Sequence, residues 1–361
     1  MPRSKRKVFA LCSTRDPDHI RRQWLAELSP FQSEENEACV ILPTSGSSGI
    51  PKAVCLTFAQ LVANAESAVT NAEFSADSCA LLSLPLYHVG GLSVVIRAAL
   101  VGGNLARKEA AGVTHLSLVP TQLYRMMRDD NALRALSKLK VITVGGAPLS
   151  PALVDLALGH GLPMMTTYGL SEMGSQVAAT KPGASREELL SSGRLLANRE
   201  LVIVDGEICV KGPSLFSGYV EGAVLRKPVD AQGFFHTGDM GFVDEKGLLH
   251  VRGRKDNMMI SGGENIQAEE IEAALRLHEG VEEAVVVAKP DAEYGQRPVA
   301  FVKAVASHDL PPDTLRGHLE QHVARFKIPD TFLPWPSHLP GDSLKIQRRS
   351  FQRELALLKS I

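Results

Sequence analysis

Residues 42–54 read LPTSGSSGIPKAV, which places hydroxyl side chains, two glycines and a lysine directly behind an apolar run. Glycines let backbone N–H groups approach an anion, hydroxyls add hydrogen-bond donors, and the lysine adds positive charge. Pro51, which has no N–H, stands before Lys52, so the stretch does not fit a Walker A loop. A flexible serine-glycine linker is the weaker interpretation, because linkers rarely carry Ile-Pro-Lys-Ala-Val behind their glycines. The stretch therefore predicts a loop that binds phosphate.

The first half of the chain alternates short apolar runs with helical patterns. Apolar residues recur at helical spacing between Leu61 and Ala72, which predicts a helix over residues 57–72. Apolar strands that alternate with helices are typical of a parallel α/β sheet. The other elements predicted here are strands at residues 38–42, 79–84, 113–119 and 140–144 and helices at residues 90–100 and 122–128.

A different pattern begins near Gly193. Asp205-Gly206 separates two short runs of β type, and this pair favours a tight hairpin turn, so we predict a small β-rich lobe. After about residue 255 the chain combines a glycine turn with helices and strands in a mixed order. The elements predicted after Gly193 are strands at residues 200–204, 207–210, 248–251, 284–288 and 298–305 and helices at residues 268–277 and 312–325.

These patterns predict the α/β fold class and two domains. The large domain, residues 1–255, combines parallel sheets flanked by helices with the β-rich lobe. The small domain, residues 256–361, is of the α+β type.

The composition limits the kinds of partner. The chain has 361 residues, a formal net charge of -1 and 44% hydrophobic residues, so no overall charge draws it to nucleic acid or an anionic membrane. The most apolar window is residues 81–101. Because it contains His88 and Arg97, it is not predicted to span a membrane. Five scattered cysteines without a Cys-x-x-Cys pair indicate free thiols in a reducing compartment and no zinc site. We predict a cytoplasmic protein without nucleic-acid partners or membrane insertion, and a homo-oligomer is compatible with this composition.

Two motifs in the first domain suit a planar base and a metal ion. Tyr168-Gly169-Leu170-Ser171-Glu172 offers a ring that can cover a base and a carboxylate at a glycine bend that can hold Mg²⁺. The alternative interpretation of this motif is a turn before a helix. Gly145-Gly146-Ala147 follows a predicted strand, where glycines let a flat ring lie against the backbone.

Further motifs follow, and each is compatible with a purely structural role. An aspartate after glycine is often a turn residue, and Ser261 with Glu264 also suits the start of a helix. In their common order, however, all the motifs resemble the signature motifs of the adenylate-forming superfamily of acyl-CoA synthetases, aryl-CoA ligases, luciferases and adenylation domains. The later motifs are His236-Thr237-Gly238-Asp239, Gly253-Arg254-Lys255-Asp256, Ser261-Gly262-Gly263-Glu264 and Leu344-Lys345-Ile346.

The resemblance implies that ATP and Mg²⁺ bind to the large domain. Tyr168 is expected to stack on adenine, Asp239 to accept the ribose hydroxyls, and Glu172 to hold the metal and act in catalysis. The full set of ATP-binding residues implied by the resemblance is Thr44, Ser45, Gly46, Ser47, Ser48, Gly49, Lys52, Gly145, Gly146, Ala147, Tyr168, Gly169, Ser171, Asp239 and Arg254.

The resemblance also assigns roles to the small domain, which is mobile in the superfamily. Asp256 is expected to be the hinge, and Lys345 the lysine that catalyses adenylation. Ser261, Gly262 and Gly263 would line the tunnel for the pantetheine arm of coenzyme A. Leu344 departs from the pattern, because the superfamily usually has glycine before this lysine.

Arg97 bears on the choice of substrate. Its neighbours in the sequence are apolar, and a charge in such a stretch tends to have a partner, although a surface arginine is the simpler alternative. Together with Arg97, residues 84–92, 113–123, 256–257 and 262–267 most resemble the 2-succinylbenzoate–CoA ligase family of menaquinone synthesis. In that family an arginine at this place binds the second carboxylate of the substrate. By this resemblance His88, Gly90 and Gly146 also contact the acyl substrate, and His88 takes part in catalysis.

The implied reaction has two steps, adenylation of a small carboxylic acid by ATP and transfer of the acyl group to coenzyme A. Only 43 residues precede Thr44, so we expect an N-terminal region shorter than in the superfamily. Three alternatives stay open. They are a CoA ligase for another carboxylic acid, an adenylation module that loads a carrier protein, and a degenerate nucleotide-binding protein without turnover.

Overall fold

The computed structural model describes residues 8–12, 22, 25, 26, 28, 39–44, 52–108, 112–147, 149–305, 309–339 and 348–358. Within these residues the chain has an α/β fold, which confirms the predicted class. The strands are β1 Val8–Ala10, β2 Cys39–Thr44, β3 Lys52–Thr57, β4 Cys79–Leu81, β5 Asn104–Ala106, β6 His115–Leu118, β7 Val141–Gly145, β8 Met164–Leu170, β9 Ser175–Ala179, β10 Arg194–Leu195, β11 Glu200–Val204, β12 Glu207–Lys211, β13 Gly218–Glu221, β14 Val224–Arg226, β15 Phe235–Val243, β16 Leu249–Arg254, β17 Met258–Ser261, β18 Glu264–Gln267, β19 Val281–Asp291, β20 Gly295–Ala304 and β21 Thr331–Pro334.

Several helices begin at a recognisable capping signal. The Thr57 hydroxyl accepts a hydrogen bond from the Gln60 backbone N–H, and the Gln60 side chain accepts one from Thr57 N, so a capping box fixes the start of the first helix. The helices are α1 Phe58–Asn71, α2 Val89–Val101, α3 Pro120–Met127, α4 Asp130–Leu136, α5 Pro151–Gly159, α6 Arg186–Leu189, α7 Ala268–Leu275, α8 Pro312–Leu319 and α9 Arg348–Leu358.

The chain divides into two compact units. The first contains Met1–Ala147, Leu156–Thr237 and Val243–His250. The second contains Pro148–Asp155, Gly238–Phe242 and Val251–Ile361. Among the described residues, no helix is both long and apolar enough to cross a membrane.

The first sheet has the strand order β1-β2-β3-β13-β14. Strands β2 and β3 form an antiparallel pair in which Thr44 lies opposite Lys52. The sequence analysis predicted a loop over residues 42–54 and a helix from residue 57, with no strand between them; the helix is confirmed, but Lys52–Thr57 is a strand. Ala53, Val54 and Leu56 are buried in this strand, and so short an apolar run resembles a strand and a buried helix equally well.

The second sheet supplies the predicted parallel core. Its order is β10-β9-β8-β7-β6-β4-β5. The strands from β5 to β8 run parallel, and β9 and β10 are antiparallel additions at one edge. Helices α1 and α2 pack their apolar faces on β4 through Val69, Val94 and Ala98, together with Ala80 of the strand. This packing covers β4 with apolar side chains from both helices.

The predicted hairpin at residues 200–210 is confirmed. Strands β11 and β12 pair antiparallel in a four-stranded sheet of order β11-β12-β15-β16. Asp205 and Gly206 have φ angles of 50° and 77°, which is the geometry of a tight turn with two left-handed residues.

The second unit contains a sheet of order β18-β17-β20-β19, with β21 beside β20. Alternate residues of β19 face opposite sides: Val286 packs with α7 and α8, whereas Val285 and Val287 pack with Phe351 of α9. The predicted helix at residues 312–325 is too long, because α8 ends at Leu319 and a separate turn follows at Arg325–Lys327.

Candidate functional site

Thr44 and Lys52 stand at the base of the predicted phosphate loop. They are opposite each other at the ends of β2 and β3, and the Thr44 hydroxyl donates a 3.4 Å hydrogen bond to the Lys52 carbonyl oxygen. The loop is therefore the connection of an antiparallel hairpin. Its predicted residues Ser45, Gly46, Ser47, Ser48 and Gly49 lie outside the described residues.

Glu172 lies in a short helical turn, Ser171–Met173, between β8 and β9. Its Oε1 accepts a 2.7 Å hydrogen bond from the hydroxyl of Tyr219 on β13. The ammonium of Lys52 lies over the Tyr219 ring, 5.0 Å from the centroid. Tyr219 thus contacts two residues that the sequence analysis assigned to ATP and metal binding.

The predicted platform for a base lies at the carboxyl ends of two neighbouring parallel strands. Gly145 at the end of β7 lies opposite Thr167 of β8, so Gly146 and Tyr168 follow at the same edge of the sheet. A Cβ on Gly145 would stand 2.6 Å from Thr167 Cγ2, and Gly146 has a φ of 83°, so both positions favour glycine. Ligands of open α/β sheets bind at this edge.

The turn that carries Glu172 is held by a bulge and by a buried asparagine. The pairing of β8 with β9 shifts register after Tyr168, and a Cβ on Gly169 would lie 2.2 Å from the Ser175 carbonyl oxygen. Asn64 of α1 donates from Nδ2 to the carbonyl oxygens of Met173 and Gln176, both at 2.8 Å. The backbone around Glu172 is therefore tightly fixed.

Arg97 is a buried cation of helix α2. Its Nε donates a 3.2 Å hydrogen bond to the Ser93 carbonyl oxygen. In the part of the chain that the structure describes, no carboxylate pairs with Arg97. Burial lowers the pKa of Arg97 to about 10. The guanidinium therefore keeps its charge near neutral pH. Among the described residues its two terminal nitrogens have no hydrogen-bond partner, so they are available to an anion.

A small cavity borders Arg97, and its polar lining includes His115, Ser117 and Thr143. His115 approaches two hydrogen-bond partners, Ala72 O at 3.1 Å from Nε2 and the Thr114 hydroxyl at 2.8 Å from Nδ1. Burial lowers the pKa of His115, its bond to the Ala72 carbonyl opposes this, and the charge of Arg97 lowers the pKa further. Near neutral pH the imidazole is therefore uncharged, so Arg97 supplies the positive charge of this cavity.

The other residues assigned to an acyl substrate lie at the start of the same helix. His88 occupies the N-cap position of α2, with its ring 4.5 Å from the ring of Tyr87. Gly90 follows in the first turn, and its carbonyl oxygen accepts from the Ser93 hydroxyl at 2.9 Å. The close approach occurs at Gly91, where a Cβ would lie 2.2 Å from the Pro85 carbonyl oxygen. One helix thus carries His88, Gly90 and Arg97.

Asp239 and Arg254 lie together in the second unit. Arg254 Nη1 donates to Asp239 Oδ1 at 3.1 Å, and its Nη2 is 3.5 Å from Asp256 Oδ2. Gly238 has a φ of 73°, and a Cβ there would stand 2.9 Å from Arg254 Nη2. Burial alone lowers the pKa of Arg254, but the Asp239 and Asp256 carboxylates outweigh it and leave the pKa raised. The structure therefore joins two predicted motifs through an ion pair.

The predicted coenzyme A turn is the tip of a hairpin. Ser261 pairs with Glu264 across β17 and β18, and Gly262 and Gly263 between them have φ angles of 58° and 87°. Gly262 N donates to the Tyr294 carbonyl oxygen at 2.9 Å. The glycines are therefore required by the turn itself.

The predicted catalytic Lys345, and Leu344 before it, lie outside the described residues. The next described residue in the chain, Arg348, donates to the Val286 carbonyl oxygen at 3.0 Å, to Glu269 at 3.2 Å and to Glu272. The carboxylates of Glu269 and Glu272 thus fix the start of α9.

The donor chemistry fits a magnesium ion bound mainly by phosphate. Within the described ranges, no group of three or more histidine, cysteine or acidic side chains is arranged to hold a metal. Mg²⁺ typically takes one or two carboxylates together with substrate phosphates and water. Glu172 offers one such carboxylate, with Oε1 held by Tyr219 and Oε2 without a partner among the described residues. Glu172 would therefore hold the ion.

Sequence reasoning missed four residues that support the site. Gly91 and Ser93 shape the helix of Arg97, Asn64 holds the turn of Glu172, and Tyr219 binds the Glu172 carboxylate. None of them belongs to a motif with an evident chemical role. Only the dipeptide Gly218-Tyr219 could have drawn attention, because glycine in a strand marks close backbone approach.

Comparisons with known proteins show the family of this chain. The AMP-binding enzyme family matches residues 6–220, and the AMP-binding enzyme C-terminal domain matches residues 270–341. A 2-succinylbenzoate–CoA ligase from Staphylococcus epidermidis is 33% identical over 347 residues, which cover 91% of this chain and 72% of the relative.

Two similar solved structures show o-succinylbenzoate CoA synthetase (MenE) from Bacillus subtilis. One is in complex with the acyl-adenylate intermediate OSB-AMP. It is 30% identical with a TM-score of 0.77, and the match covers 87% of this chain and 68% of the Bacillus subtilis chain. The other is in complex with ATP and magnesium ion. It is 30% identical with a TM-score of 0.75, and the match covers 87% of this chain and 69% of the Bacillus subtilis chain. On the extent of these matches, the chain belongs to the AMP-binding enzyme family.

Proposed function

We propose that the chain is an ATP-dependent ligase that converts 2-succinylbenzoate to 2-succinylbenzoyl-CoA in menaquinone biosynthesis. Relatives and structural neighbours that carry this activity in their names support the reaction class. The observation that carries the choice of substrate is the buried guanidinium of Arg97, which borders a small cavity with polar and apolar lining residues and has no carboxylate partner among the described residues.

A dicarboxylate would complete the environment of Arg97. A buried cation without a counter-ion is costly, and a planar guanidinium forms two parallel hydrogen bonds with a carboxylate. One carboxylate of 2-succinylbenzoate would bind Arg97, which leaves the other free to react. An unsubstituted fatty acid has no group that could neutralise this charge.

In the first step the free carboxylate attacks the α-phosphorus of ATP, an acyl–phosphate bond forms, and pyrophosphate leaves. Lys52 and Lys345 would stabilise the negative charge that develops on the phosphates, and Thr44 and Ser45 would donate hydrogen bonds to them. When bound, Mg²⁺ supplies further charge neutralisation, and Glu172 would hold it.

In the second step the coenzyme A thiol attacks the acyl carbon and AMP leaves. Ser261, Gly262 and Gly263 would contact the pantetheine arm. We keep the boundary near residue 255 and the hinge at Asp256 as parts of this proposal. Backbone rotation at the hinge would separate adenylation from thioester formation. The cytoplasm, where ATP and coenzyme A are available, is the proposed location.

The test is a panel of acids assayed for pyrophosphate release in the presence of Mg-ATP. The panel contains 2-succinylbenzoate, the monocarboxylate benzoate, and a fatty acid. We expect release with the dicarboxylate, and Arg97→Ala should raise its KM by about a hundredfold because a buried charged hydrogen bond is lost. Arg128→Ala, which removes an exposed arginine of the same unit, is the matched control.

Each other outcome selects one of the alternatives. Release only with another acid would overturn the menaquinone assignment but keep the ligase class. Release that leads to acylation of a carrier protein but never of free coenzyme A would indicate an adenylation module. ATP binding without release for any acid would indicate a degenerate nucleotide-binding protein.

A further inference from the structure

Tyr219 joins two charged residues that come from different parts of the first unit. Lys52 begins β3 in the first sheet, and Glu172 lies in the turn after β8 in the second sheet. Tyr219 lies on β13, opposite Val54 of β3, which places its side chain between these two elements. Its hydroxyl donates to Glu172 Oε1 at 2.7 Å, and its ring face receives the Lys52 ammonium at 5.0 Å.

The position of Tyr219 is itself fixed by its neighbours. The ring of Phe216, which is fully buried, meets the Tyr219 ring edge to face at a centroid distance of 4.9 Å. The backbone N–H of Phe216 also donates to the Glu172 carbonyl oxygen at 2.8 Å. The segment 216–219 therefore binds Glu172 through both main chain and side chain, which restricts rotation of the carboxylate.

Lys52 and Glu172 carry opposite charges, and two such side chains at one site tend to pair directly. No ion pair joins them among the described residues, and each instead contacts Tyr219. The hydroxyl occupies one carboxylate oxygen of Glu172 and leaves Oε2 for a cation. The ring holds the ammonium of Lys52 by a cation–π contact that leaves its N–H donors available.

From this arrangement we infer that Tyr219 is a positioning residue, which orients Glu172 toward the metal of Mg-ATP and Lys52 toward its phosphates and keeps the two from neutralising each other. The inference rests on the proposed function only in its need for Mg-ATP. It does not depend on the identity of the acid or on coenzyme A.

The test is calorimetric binding of ATP, without acid or coenzyme A, once with excess Mg²⁺ and once with EDTA. Tyr219→Phe removes the hydroxyl and keeps the ring. We expect its Kd for Mg-ATP to rise about tenfold, because a hydrogen bond to a carboxylate is lost. Its Kd for metal-free ATP should stay within about twofold of wild type, because the Lys52 contact remains.

Tyr219→Leu removes the hydroxyl and the ring together. Its Kd for Mg-ATP should rise as in Tyr219→Phe. Its Kd for metal-free ATP should also rise, by about threefold, since the cation–π contact of Lys52 is lost as well. The matched control is Tyr124→Phe. Tyr124 likewise combines a hydroxyl hydrogen bond and a ring contact with one cation, Arg128, but lies on α3 away from Glu172. This variant should bind both forms of ATP as the wild type does.

A double-mutant cycle separates positioning from a general structural effect. In a Glu172→Gln background, Tyr219→Phe should cause no further loss of Mg-ATP binding, because the carboxylate that it orients is absent. Equal losses with and without Mg²⁺, additive losses in the cycle, or unchanged binding by Tyr219→Phe would overturn the inference. If the predicted losses occur but no acid supports pyrophosphate release, the proposed reaction fails and the positioning role stands.

Discussion

Arg97 donates from Nε to the carbonyl oxygen of Ser93, four residues earlier in the same helix, at 3.2 Å. The described residues provide no carboxylate for this buried guanidinium. A second buried arginine, Arg199, contrasts with it. Arg199 donates to the Ser67 hydroxyl at 2.5 Å and to the carbonyl oxygens of Ala197 at 2.7 Å and Asn64 at 3.4 Å. Burial lowers the pKa of both arginines to about 10, and among the described residues neither pairs with a carboxylate, but Arg199 has three oxygen acceptors whereas Arg97 has one.

The first prediction is that Arg97→Met stabilises the free protein and abolishes recognition of the dicarboxylate. Removing a buried charge without a counter-ion should raise the free energy of unfolding by about 1–3 kcal/mol. Denaturant unfolding and thermal melting measure this change. Saturating 2-succinylbenzoate should raise the melting temperature of the wild type but not that of the variant. A variant less stable than wild type would contradict the account of Arg97.

Arg199→Met is the matched comparison for this effect. It leaves the acceptors of Arg199 without their donor, so we expect a loss of about 1–3 kcal/mol in the free energy of unfolding. The opposite signs of the two substitutions distinguish a charge kept for a ligand from one whose terminal nitrogens are bonded to protein oxygens. Two losses of similar size would contradict this distinction.

Asn64→Ala should destabilise the turn that carries Glu172. The substitution leaves the carbonyl oxygens of Met173 and Gln176 without their donor, and Asn64 is 1% exposed. We expect a loss of about 2–4 kcal/mol in unfolding free energy, together with weaker Mg-ATP binding. Asn131→Ala, which removes an exposed asparagine that accepts from Arg134 at 2.9 Å, should stay within about 0.5 kcal/mol of wild type. Equal stabilities for the two variants would refute the role of Asn64.

Gly169→Ala tests the bulge between β8 and β9. The new methyl group would lie 2.2 Å from the Ser175 carbonyl oxygen, so the strands must separate locally at a cost of about 1–3 kcal/mol. Gly317→Ala in helix α8 has no atom within 4 Å of the new methyl group and should stabilise the protein by about 0.5–1 kcal/mol. Thermal melting of both variants gives the comparison. An unchanged melting temperature for Gly169→Ala would show that the backbone relaxes without cost.

Asp239→Asn should weaken nucleotide binding. The amide keeps the shape of the side chain but removes the charge that pairs with Arg254 and that would accept the ribose hydroxyls. We expect the Kd for ATP to rise about tenfold, measured by calorimetry. Glu221→Gln breaks a comparable pair with Arg226, at 3.8 Å and largely exposed, and should leave ATP binding unchanged. Tight ATP binding by Asp239→Asn would remove Asp239 from the site.

The sequence was sufficient for the parallel core and for the hairpin at residues 200–210. Apolar periodicity identified the strands at Val141–Gly145 and His115–Leu118 to within two residues, and Asp205-Gly206 identified the tight turn. It was insufficient for the strand Lys52–Thr57, where no element was predicted, and for the end of α8. A short apolar run does not distinguish strand from helix, and helix ends depend on packing that the sequence does not display.

The candidate site shows the same contrast between residues that the sequence predicts and residues that only the structure reveals. Motifs with chemical groups at fixed spacing predicted Glu172, Asp239 and Arg254 as site residues. Tyr219 escaped notice, because it acts through a residue 47 positions away and its own neighbourhood has no such spacing. Such contacts depend on how β13 of one sheet lies beside the turn of another, and that arrangement becomes visible only in three dimensions.

The most direct test of the central claim is mass spectrometry of a single turnover with ATP, Mg²⁺ and 2-succinylbenzoate, followed by addition of coenzyme A. The account predicts a 2-succinylbenzoyl-adenylate that is replaced by 2-succinylbenzoyl-CoA and AMP, with formation of the adenylate lost in Lys345→Ala. ATP that stays intact in the presence of 2-succinylbenzoate would contradict it.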